Sequence, residues 1–352
     1  MIFVILIGTL MAGYGTAYVA SEDVRYLTRA GIEETRILES RRPIAKLVKD
    51  RHTSPELRAA LRLVIASRDY ADSIGLEARK TYTTYSDVGR DTLLLVLSVS
   101  PRNCLCPYTW HYPIVGHIPY KGFFDPKMAQ RTASKFEGQG YDTYLRPSSA
   151  FSTLGWFNDP LLSTAVGPDS VELTSLVLHE IAHNTLYVKS ATPFNESFAQ
   201  LVGYRATEAF FQEHGDTALA RKAAARWEDE IVLSGYYAGL NQRLDSLYAL
   251  TKDSVAVDSG RAEIARWARV QLQDSVSPRL KTYQIGHLSD RPINNARLIA
   301  ARIYRMHLEL FERFYKQHDR KVPQTVAALR VLMKGVEGDS AAYAVLRGAV
   351  ER

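Results

Sequence analysis

Cysteine is scarce in this chain, whose 352 residues include only two, Cys104 and Cys106. Two cysteines cannot complete a closed structural zinc site, because such a site takes four ligands. The two residues are so close in the sequence that a disulfide between them would be strained. Two interpretations therefore stay open at this point, namely free thiols or a redox-sensitive pair.

A concentrated basic surface is also missing. The net charge is +6, but lysines and arginines alternate with acidic residues, as in residues 259–273 and 301–321. No basic stripe carries aromatic side chains, so we expect no binding of nucleic acid. Internal repeats and low-complexity segments are absent as well. A chain of this length and ordinary composition can bury a large core, as one domain or as two lobes.

The chain begins without the run of about 20 apolar residues that a membrane-spanning helix needs. Residues 2–12 form a shorter apolar run that is followed by small residues. This pattern is typical of a secretory signal with cleavage near Ala17 or Ala20, although the usual basic residues are missing. We expect residues 1–20 to be a signal peptide or a short N-terminal anchor, and the protein to be periplasmic or secreted. Membrane attachment through an uncleaved segment is one alternative, and a buried N-terminal strand is another.

What the sequence does contain is the pattern H-E-x-x-H at residues 179–183. On a helix, His179 and His183 lie one turn apart on the same face, where two imidazoles can bind one zinc ion. Glu180 can then reach a water bound to that ion. Zinc lowers the pKa of such a water from about 16 to about 7, and a carboxylate can pass its proton to a leaving amine.

The flanking residues favour a helix around this pattern. Asp169 and Glu172 form a capping-box-like pair, which suits a helix that begins near Ser170. No glycine or proline interrupts the run before Pro193. The alternative interpretation is that H-E-x-x-H occurs by chance on an ordinary amphipathic helix.

A third ligand is offered by the next predicted helix. Thr192 and Pro193 are typical of an N-cap followed by proline at the first helical position. Glu196 follows His183 at a distance that allows a turn and a second, antiparallel helix. Gly203, two turns later, would let the two helices pack closely. Two histidines and a glutamate with an open fourth position are typical of catalytic zinc, whereas structural sites are usually closed by cysteines.

H-E-x-x-H followed by N-E-x-x-A resembles the gluzincin metallopeptidases, which include the thermolysin-like enzymes and the zinc aminopeptidases. A closer resemblance is to a family of bacterial proteins called putative aminopeptidases. It rests on STLGWFNDPLL at 152–162, the zinc motif, FNESFA at 194–199, and the stretches at 110–125 and 294–298. The resemblance covers roughly residues 25–320 and implies a peptidase that uses one zinc ion and acts on peptides. Many members carry a lipoprotein signal, but no cysteine follows the small residues here, so we expect no lipid anchor.

The resemblance also implies that residues 152–162 line the substrate cleft. In gluzincins an edge strand before the zinc helix pairs with an extended peptide through its unpaired backbone groups. Gly155 would let the peptide backbone approach, Trp156 would line the cleft, and Asp159 would hold the free amine of the substrate. The alternative is a core strand and turn, in which Trp156 packs in the core and Asp159 is a turn residue.

Peptide hydrolysis also needs a group that stabilises the oxyanion. Tyr187 is one predicted helical turn beyond His183, which makes it a candidate donor or an ordinary core residue. His287 stands shortly before Asn294, at an offset similar to that of a histidine in thermolysin-like enzymes. Arg297 is a candidate for binding a substrate carboxylate, or for an ordinary salt bridge.

Helical spacing dominates residues 22–80 and the chain after Gly203, whereas residues 92–145 contain β-favouring runs. The predicted fold class is α+β, a gluzincin-like metallopeptidase that is mainly helical with a small mixed β-sheet beside the H-E-x-x-H helix. Residues 21–352 are predicted to form one domain, with a lobe of helices and sheet at 21–165 and a helical lobe with the zinc site at 166–352. Residues 294–317 are predicted to form one long helix.

The leading hypothesis is therefore hydrolysis of peptide bonds by an aminopeptidase that uses one zinc ion and Glu180 as general base. A cell-envelope endopeptidase of the same chemistry is the first alternative. A non-catalytic binding module stabilised by zinc is the second alternative. Glu180 argues against the second alternative, because a purely structural site has no use for a general base.

Overall fold

A computed structural model describes residues 2–112, 116–148, 159–251, 253–285 and 292–352. Helices predominate in these residues, and thirteen α-helices are found in them, in the chain order α1 Ile2–Ala20, α2 Glu22–Glu39, α3 Ile44–Leu47, α4 Pro55–Ser73, α5 Pro126–Gly138, α6 Ser170–Thr185, α7 Thr192–Glu213, α8 Thr217–Leu250, α9 Ser254–Val270, α10 Asn295–Tyr304, α11 Leu308–Gln317, α12 Val322–Leu332 and α13 Asp339–Val350.

Short strands make up the remaining regular structure, in the order β1 Arg42–Pro43, β2 Thr84–Ser86, β3 Leu94–Pro101, β4 Trp110–Tyr112, β5 Gly116–Ile118, β6 Lys121–Phe123, β7 Tyr141–Ser148 and β8 Leu161–Leu162. The described strands form a mixed sheet β1-β2-β8, an antiparallel sheet β6-β3-β7 and the hairpin β4-β5. The α+β class is therefore confirmed, but the single small sheet of the prediction is replaced by three.

The sheet β6-β3-β7 has two chemically different faces, because neighbouring residues of a strand point to opposite sides. Leu97 and Val99 of β3 lie on one face and pack against helix α5 through Ala129 and Ala133. Val96 lies on the other face and joins a small core that includes Leu162. In β7, Asp142 and Arg146 stand opposite Ser100 and Val96, so they share this second face.

Helix α6 begins where the sequence predicts. The Asp169 carboxylate accepts hydrogen bonds from the backbone N–H groups of Val171 and Glu172, as an N-cap does. Its second oxygen accepts from Lys222 and Arg226 of helix α8, so the cap also ties α6 to a distant helix. The inner face of α6 is apolar and belongs to the largest buried core, which it shares with α4, α7 and the C-terminal helices.

The prediction of one long helix over residues 294–317 is wrong. The chain leaves the helix after Tyr304, and His307 takes the left-handed conformation, with φ +54°, before α11 begins. The Met306 carbonyl accepts hydrogen bonds from the hydroxyls of Ser197 and Tyr343, and the Arg305 carbonyl accepts from Ser234. Contacts with three other helices thus replace the local helical bonds, and no glycine or proline marks the break.

The two cysteines lie in the loop between β3 and β4 and are joined by a disulfide, which excludes the interpretation as free thiols and leaves the cysteine pair. Hydrogen bonds from Ser100 and Asn295 hold the backbone of this loop in place. The Ser100 hydroxyl donates to the carbonyls of Cys104 and Cys106, and the Asn295 amide donates to the Cys104 carbonyl. These contacts attach the loop to the first residue of α10.

Residues 2–20 are helical, so the alternative of a buried N-terminal strand is wrong. No helix in the described part of the chain combines the length and the apolar character that crossing a membrane takes. The division at residues 165 and 166 into two lobes stays a prediction.

Candidate metal centre

Three donor atoms from α6 and α7 converge at one point. The Nε2 atoms of His179 and His183 are 3.2 Å apart. A carboxylate oxygen of Glu196 lies 3.3 Å from the His179 Nε2 atom, and its other oxygen lies 3.8 Å from the His183 Nε2 atom. The prediction that Glu196 joins the two histidines from the next helix is confirmed by these distances.

These separations are small enough for the three side chains to share one metal ion. A four-coordinate ion bound at about 2.0–2.1 Å by imidazole and carboxylate requires its donor atoms to be about 3.3–3.4 Å apart. The distance between the two imidazole nitrogens and the distance from His179 to one Glu196 oxygen fall close to that value, whereas the other Glu196 oxygen lies 3.8 Å from His183. Among the residues that the structure describes, this is the one group of three or more acidic, histidine or cysteine side chains that could hold a metal ion. Three protein ligands leave a tetrahedral ion one open position.

Close contact between α6 and α7 depends on Gly203. A Cβ atom at this position would stand 3.0 Å from the Ser175 carbonyl oxygen and 3.3 Å from the His179 Cβ atom. Later residues of α7 thus approach earlier residues of α6, which makes the two helices antiparallel, as the sequence predicted. The missing side chain at Gly203 lets α7 lie against the turn that carries His179.

The start of α7 is held by contacts from outside the helix. Thr192 is not its N-cap, because Ala191 occupies that position without a side-chain bond, so this prediction is wrong by one residue. Instead the Asp339 carboxylate of α13 accepts a hydrogen bond from the Phe194 backbone N–H, 2.9 Å away. The Asn195 amide bonds both the N–H and the carbonyl of Val188, which fixes the connection between the two ligand helices.

The three ligand side chains have different protonation behaviour. Burial and the nearby His179 charge lower the pKa of His183 to about 4, so His183 is neutral at neutral pH, as a ligand must be. Burial also opposes a charge on His179, but its hydrogen bond with Glu196 and the charges of Glu180 and Glu196 outweigh burial and raise its pKa. The same hydrogen bond lowers the pKa of Glu196 despite burial.

An acidic group lies on the Glu180 side of the centre. Burial raises the pKa of Glu180, and the carboxylates of Glu196 and Asp159 raise it further against the charge of His179. Burial also raises the pKa of the buried Tyr82, and the charges of Glu180 and Asp159 raise it further. Asp159 in turn raises the pKa of Glu34 in α2, after the effect of burial. Asp159 therefore belongs to the surroundings of the metal centre.

A cationic and phenolic group lies on the Glu196 side. Burial raises the pKa of Tyr304, the Glu196 carboxylate raises it further, and the Arg146 guanidinium lowers it. The same two charges act in the same directions on Tyr120, again after burial. Arg146 also contributes to the lowered pKa of Glu196. Arg146 belongs to β7, Tyr120 directly precedes β6, and Tyr304 is the last residue of α10.

The remaining predicted residues lie elsewhere or outside the described residues. Gly155, Trp156 and His287 fall outside them. Tyr187 follows the end of α6, so it does not continue the ligand helix as predicted, and it is 68% exposed. Arg297 lines a groove between α8, α9 and α10 in which none of the lining residues is a metal ligand. Its contact with a substrate stays a prediction.

The sequence reasoning missed Tyr82, Arg146 and Tyr304. Each is far along the chain from H-E-x-x-H, and none stands in a local pattern that points to chemistry. Tyr120 lies in the stretch 110–125 that supported the family resemblance, which was the one available signal.

A comparison with protein-family models finds one that matches residues 25–341, and its description is "Putative aminopeptidase". Searches of curated proteins and of solved structures each found no match. The matched region contains all three candidate ligands and every described residue that surrounds them. Membership of this family supports a peptidase activity in general. The chain therefore belongs to the putative aminopeptidase family.

Proposed function

We propose that this protein is a zinc-dependent aminopeptidase. The observation that carries the proposal is the convergence of the His179, His183 and Glu196 donor atoms, which lie within 4.8 Å of one another, with Glu180 next to the first ligand. Two imidazoles and one carboxylate are a ligand set that suits zinc, and three protein ligands are typical of catalytic rather than structural zinc. The family match supports the same class of reaction.

A bound zinc ion would supply Lewis-acid polarisation of the scissile carbonyl and a water activated at neutral pH. Glu180 supplies the proton transfer, because its carboxylate can take a proton from the attacking water and deliver it to the leaving amine. The raised pKa of Glu180 suits this double role, since a general base works best when its pKa approaches the working pH. His179, His183 and Glu196 would hold the ion.

Asp159 is the residue that favours an aminopeptidase over an endopeptidase. Its charge contributes to the raised pKa values of Glu180 and Tyr82, and a carboxylate with this influence can bind the free ammonium group of a substrate. An endopeptidase has no need for an anion at this place. Peptides with a free N-terminus and their acetylated forms separate the two activities, because an aminopeptidase cleaves only the free form.

Action outside the cytoplasmic membrane is part of the same proposal. It rests on the signal-like composition of residues 1–20. The disulfide between Cys104 and Cys106 supports it, because disulfides persist mainly in oxidising compartments.

The proposal is tested by Glu180→Gln with Glu172→Gln as its control, since Glu172 is an exposed residue of the same helix. We expect Glu180→Gln to retain one zinc per chain and to lose peptide hydrolysis by about 100-fold or more. Glu172→Gln should match the wild type in both measurements. His183→Ala should lose zinc. Zinc content by atomic emission and hydrolysis of a peptide library provide the two readouts.

Full activity of Glu180→Gln would show that the assigned base is wrong. A zinc-loaded wild type that cleaves no peptide, and that unfolds when a chelator removes the metal, would favour the non-catalytic binding module. Equal cleavage of free and acetylated peptides would favour the endopeptidase.

A further inference from the structure

The backbone of the loop that contains the Cys104–Cys106 disulfide is held by buried polar side chains. The Ser100 hydroxyl lies 3.0 Å from the Cys104 carbonyl oxygen and 2.9 Å from that of Cys106. The Asn295 amide donates a hydrogen bond to the Cys104 carbonyl at 3.1 Å. Ser100 and Asn295 are completely buried, so water does not compete for these hydrogen bonds.

Two further contacts attach the same loop to α8 and α9. The guanidinium of the buried Arg261 donates to the Arg102 carbonyl and also binds the Asp142 carboxylate. Leu105, which stands between the two cysteines, packs against an apolar cluster that includes Leu244. The loop is therefore held before, between and after the cysteines by contacts that do not involve the S–S bond.

The disulfide itself restrains very little of the chain. It joins residues only two positions apart in the sequence. A stabilising cross-link usually joins distant segments, because the entropy that it removes from the unfolded chain grows with the length of the closed loop. The bond between Cys104 and Cys106 thus adds little to a restraint that the hydrogen bonds already impose. This points to a chemical rather than a mechanical role for the cysteine pair.

The cysteine pair is accessible in the folded protein. Both cysteines are half-buried, and the residues on either side of the pair are exposed, namely Arg102, Asn103, Pro107 and Tyr108. A thiolate can therefore reach the disulfide without unfolding of the chain, and accessible disulfides are the ones that exchange readily. The held backbone would also keep the two thiols together after reduction, because their Cα atoms are 5.2 Å apart.

We propose that Cys104 and Cys106 form a site of reversible thiol–disulfide exchange with a dithiol, and that the loop keeps its fold in both states. One thiolate of the dithiol attacks a cysteine sulfur, the S–S bond breaks, and the other cysteine sulfur leaves as a thiolate and takes up a proton. The second thiol of the dithiol then displaces the first cysteine from the mixed disulfide. Two electrons pass to the protein, which yields two cysteine thiols and an oxidised dithiol.

The first test reduces the full-length protein with dithiothreitol, with and without zinc. Free thiols are blocked with a maleimide and counted by mass spectrometry, while circular dichroism reports the fold. We expect both thiols to appear in the folded protein, at a rate within about tenfold of the rate in concentrated urea. Thiols that appear only when the chain unfolds would overturn the inference. Peptide hydrolysis is not measured, so the outcome does not depend on the proposed function.

Single and double variants separate an exchange site from a structural cross-link. Cys104→Ser and Cys106→Ser each keep one thiol, which should form a mixed disulfide with glutathione disulfide while the protein stays folded. The reduced wild type should instead close its own bond and release the glutathione. The double variant should melt within about 5 °C of the wild type, because the closed loop is so short. A larger decrease in Tm, or single variants that do not react, would identify a structural cross-link.

Ser100→Ala tests whether the held backbone keeps the two thiols together. It removes a hydroxyl that binds the cysteine carbonyls, so glutathione disulfide should close the reduced pair about two- to tenfold more slowly. Ser98→Ala is the matched control on the same strand, because Ser98 forms no hydrogen bond with residues 101–109, all of which the structure describes. It should close at the wild-type rate. Equal closure rates of the two variants would contradict the proposal that the loop is held ready for exchange.

Discussion

Two carboxylates on neighbouring helices, the half-buried Glu196 of α7 and the buried Glu230 of α8, have partners of opposite character. Glu230 is 2% exposed, and its oxygens bind the Arg305 guanidinium at 2.6 Å and the Tyr283 hydroxyl at 2.7 Å. Glu196 is also largely enclosed, but its partners are the imidazoles of His179 and His183. Glu230 is paired with a permanent cation, whereas Glu196 is paired with two imidazoles whose charge depends on pH.

This difference separates a structural ion pair from a functional site. Arginine keeps its charge at every relevant pH, so Glu230 and Arg305 neutralise each other and no charge remains to bind a ligand. Histidine changes its charge near neutral pH, so the contacts around Glu196 can be exchanged for a metal ion. Burial of an acidic residue is therefore a weak sign of function, and the identity of its partner is the stronger one.

The strongest test of this difference is to make the same substitution at both carboxylates. Glu230→Gln leaves the half-buried Arg305 guanidinium without its ion-pair partner, so we expect a loss of about 3 kcal/mol in the free energy of unfolding. Glu196→Gln should cost only about 1 kcal/mol, the net value of one hydrogen bond, in protein kept free of metal by a chelator. Urea unfolding measures both losses.

Zinc binding should show the reverse order. We expect Glu196→Gln to weaken zinc binding by about 100-fold or more, because a ligand is lost. Glu230→Gln, where it remains folded, should bind zinc as the wild type does. The distinction between a structural ion pair and a metal site would be lost if Glu196→Gln were as unstable as Glu230→Gln and bound zinc with unchanged affinity.

Glycine substitutions in α7 and α8 compare the same two helices by how closely their neighbours pack against them. Gly203→Ala places a methyl group against the Ser175 carbonyl, so we expect a loss of about 1–3 kcal/mol in stability together with weaker zinc binding. Gly235→Ala on α8 is the matched control, because a Cβ atom there meets nothing within 4 Å. It should gain about 0.5–1 kcal/mol, since alanine favours a helix over glycine. Thermal unfolding with and without zinc tests both, and equal behaviour of the two variants would contradict the close-packing argument.

The smallest expected effect is the number of protons that zinc displaces. At pH 6, His179 is protonated because its pKa is raised above the usual 6.5, whereas His183, with a pKa of about 4, is already neutral. Zinc binding should therefore release about one proton, and affinity should fall by up to about tenfold, or 1.4 kcal/mol, for each unit of pH below the pKa of His179. Calorimetry in buffers with different ionisation enthalpies counts the protons. A count of two or of zero would show that the two imidazoles are not different.

Local signals allowed the ligand helices to be predicted from the sequence. Asp169 caps α6 through bonds to residues two and three positions away, and His179 and His183 are adjacent by helical periodicity alone. Glu196 required only the assumption that a short connection reverses the chain. Each of these inferences uses residues within one or two elements of the motif.

The rest of the site is set by contacts that no local pattern encodes. The position of Arg146 depends on the register in which β7 pairs with β3. The position of Tyr304 depends on the packing of α10 against β7, which begins with the hydrogen bond from Asn294 to the Thr143 carbonyl. The helix break at residues 305–307 depends on hydroxyl groups of Ser197, Ser234 and Tyr343, the nearest of which is 37 residues away. Sequence periodicity cannot report such bonds, because their donors belong to other helices.

The hydrogen bond from the Phe194 N–H to Asp339 has a consequence for how the chain is made. The helix that carries Glu196 is capped by a residue 145 positions downstream. While the ribosome is still synthesising the preceding segments, the first turn of that helix lacks its acceptor. The two histidines can therefore be in place during translation before their carboxylate partner is fixed. Complete formation of the metal centre should accordingly wait until residue 339 has been synthesised.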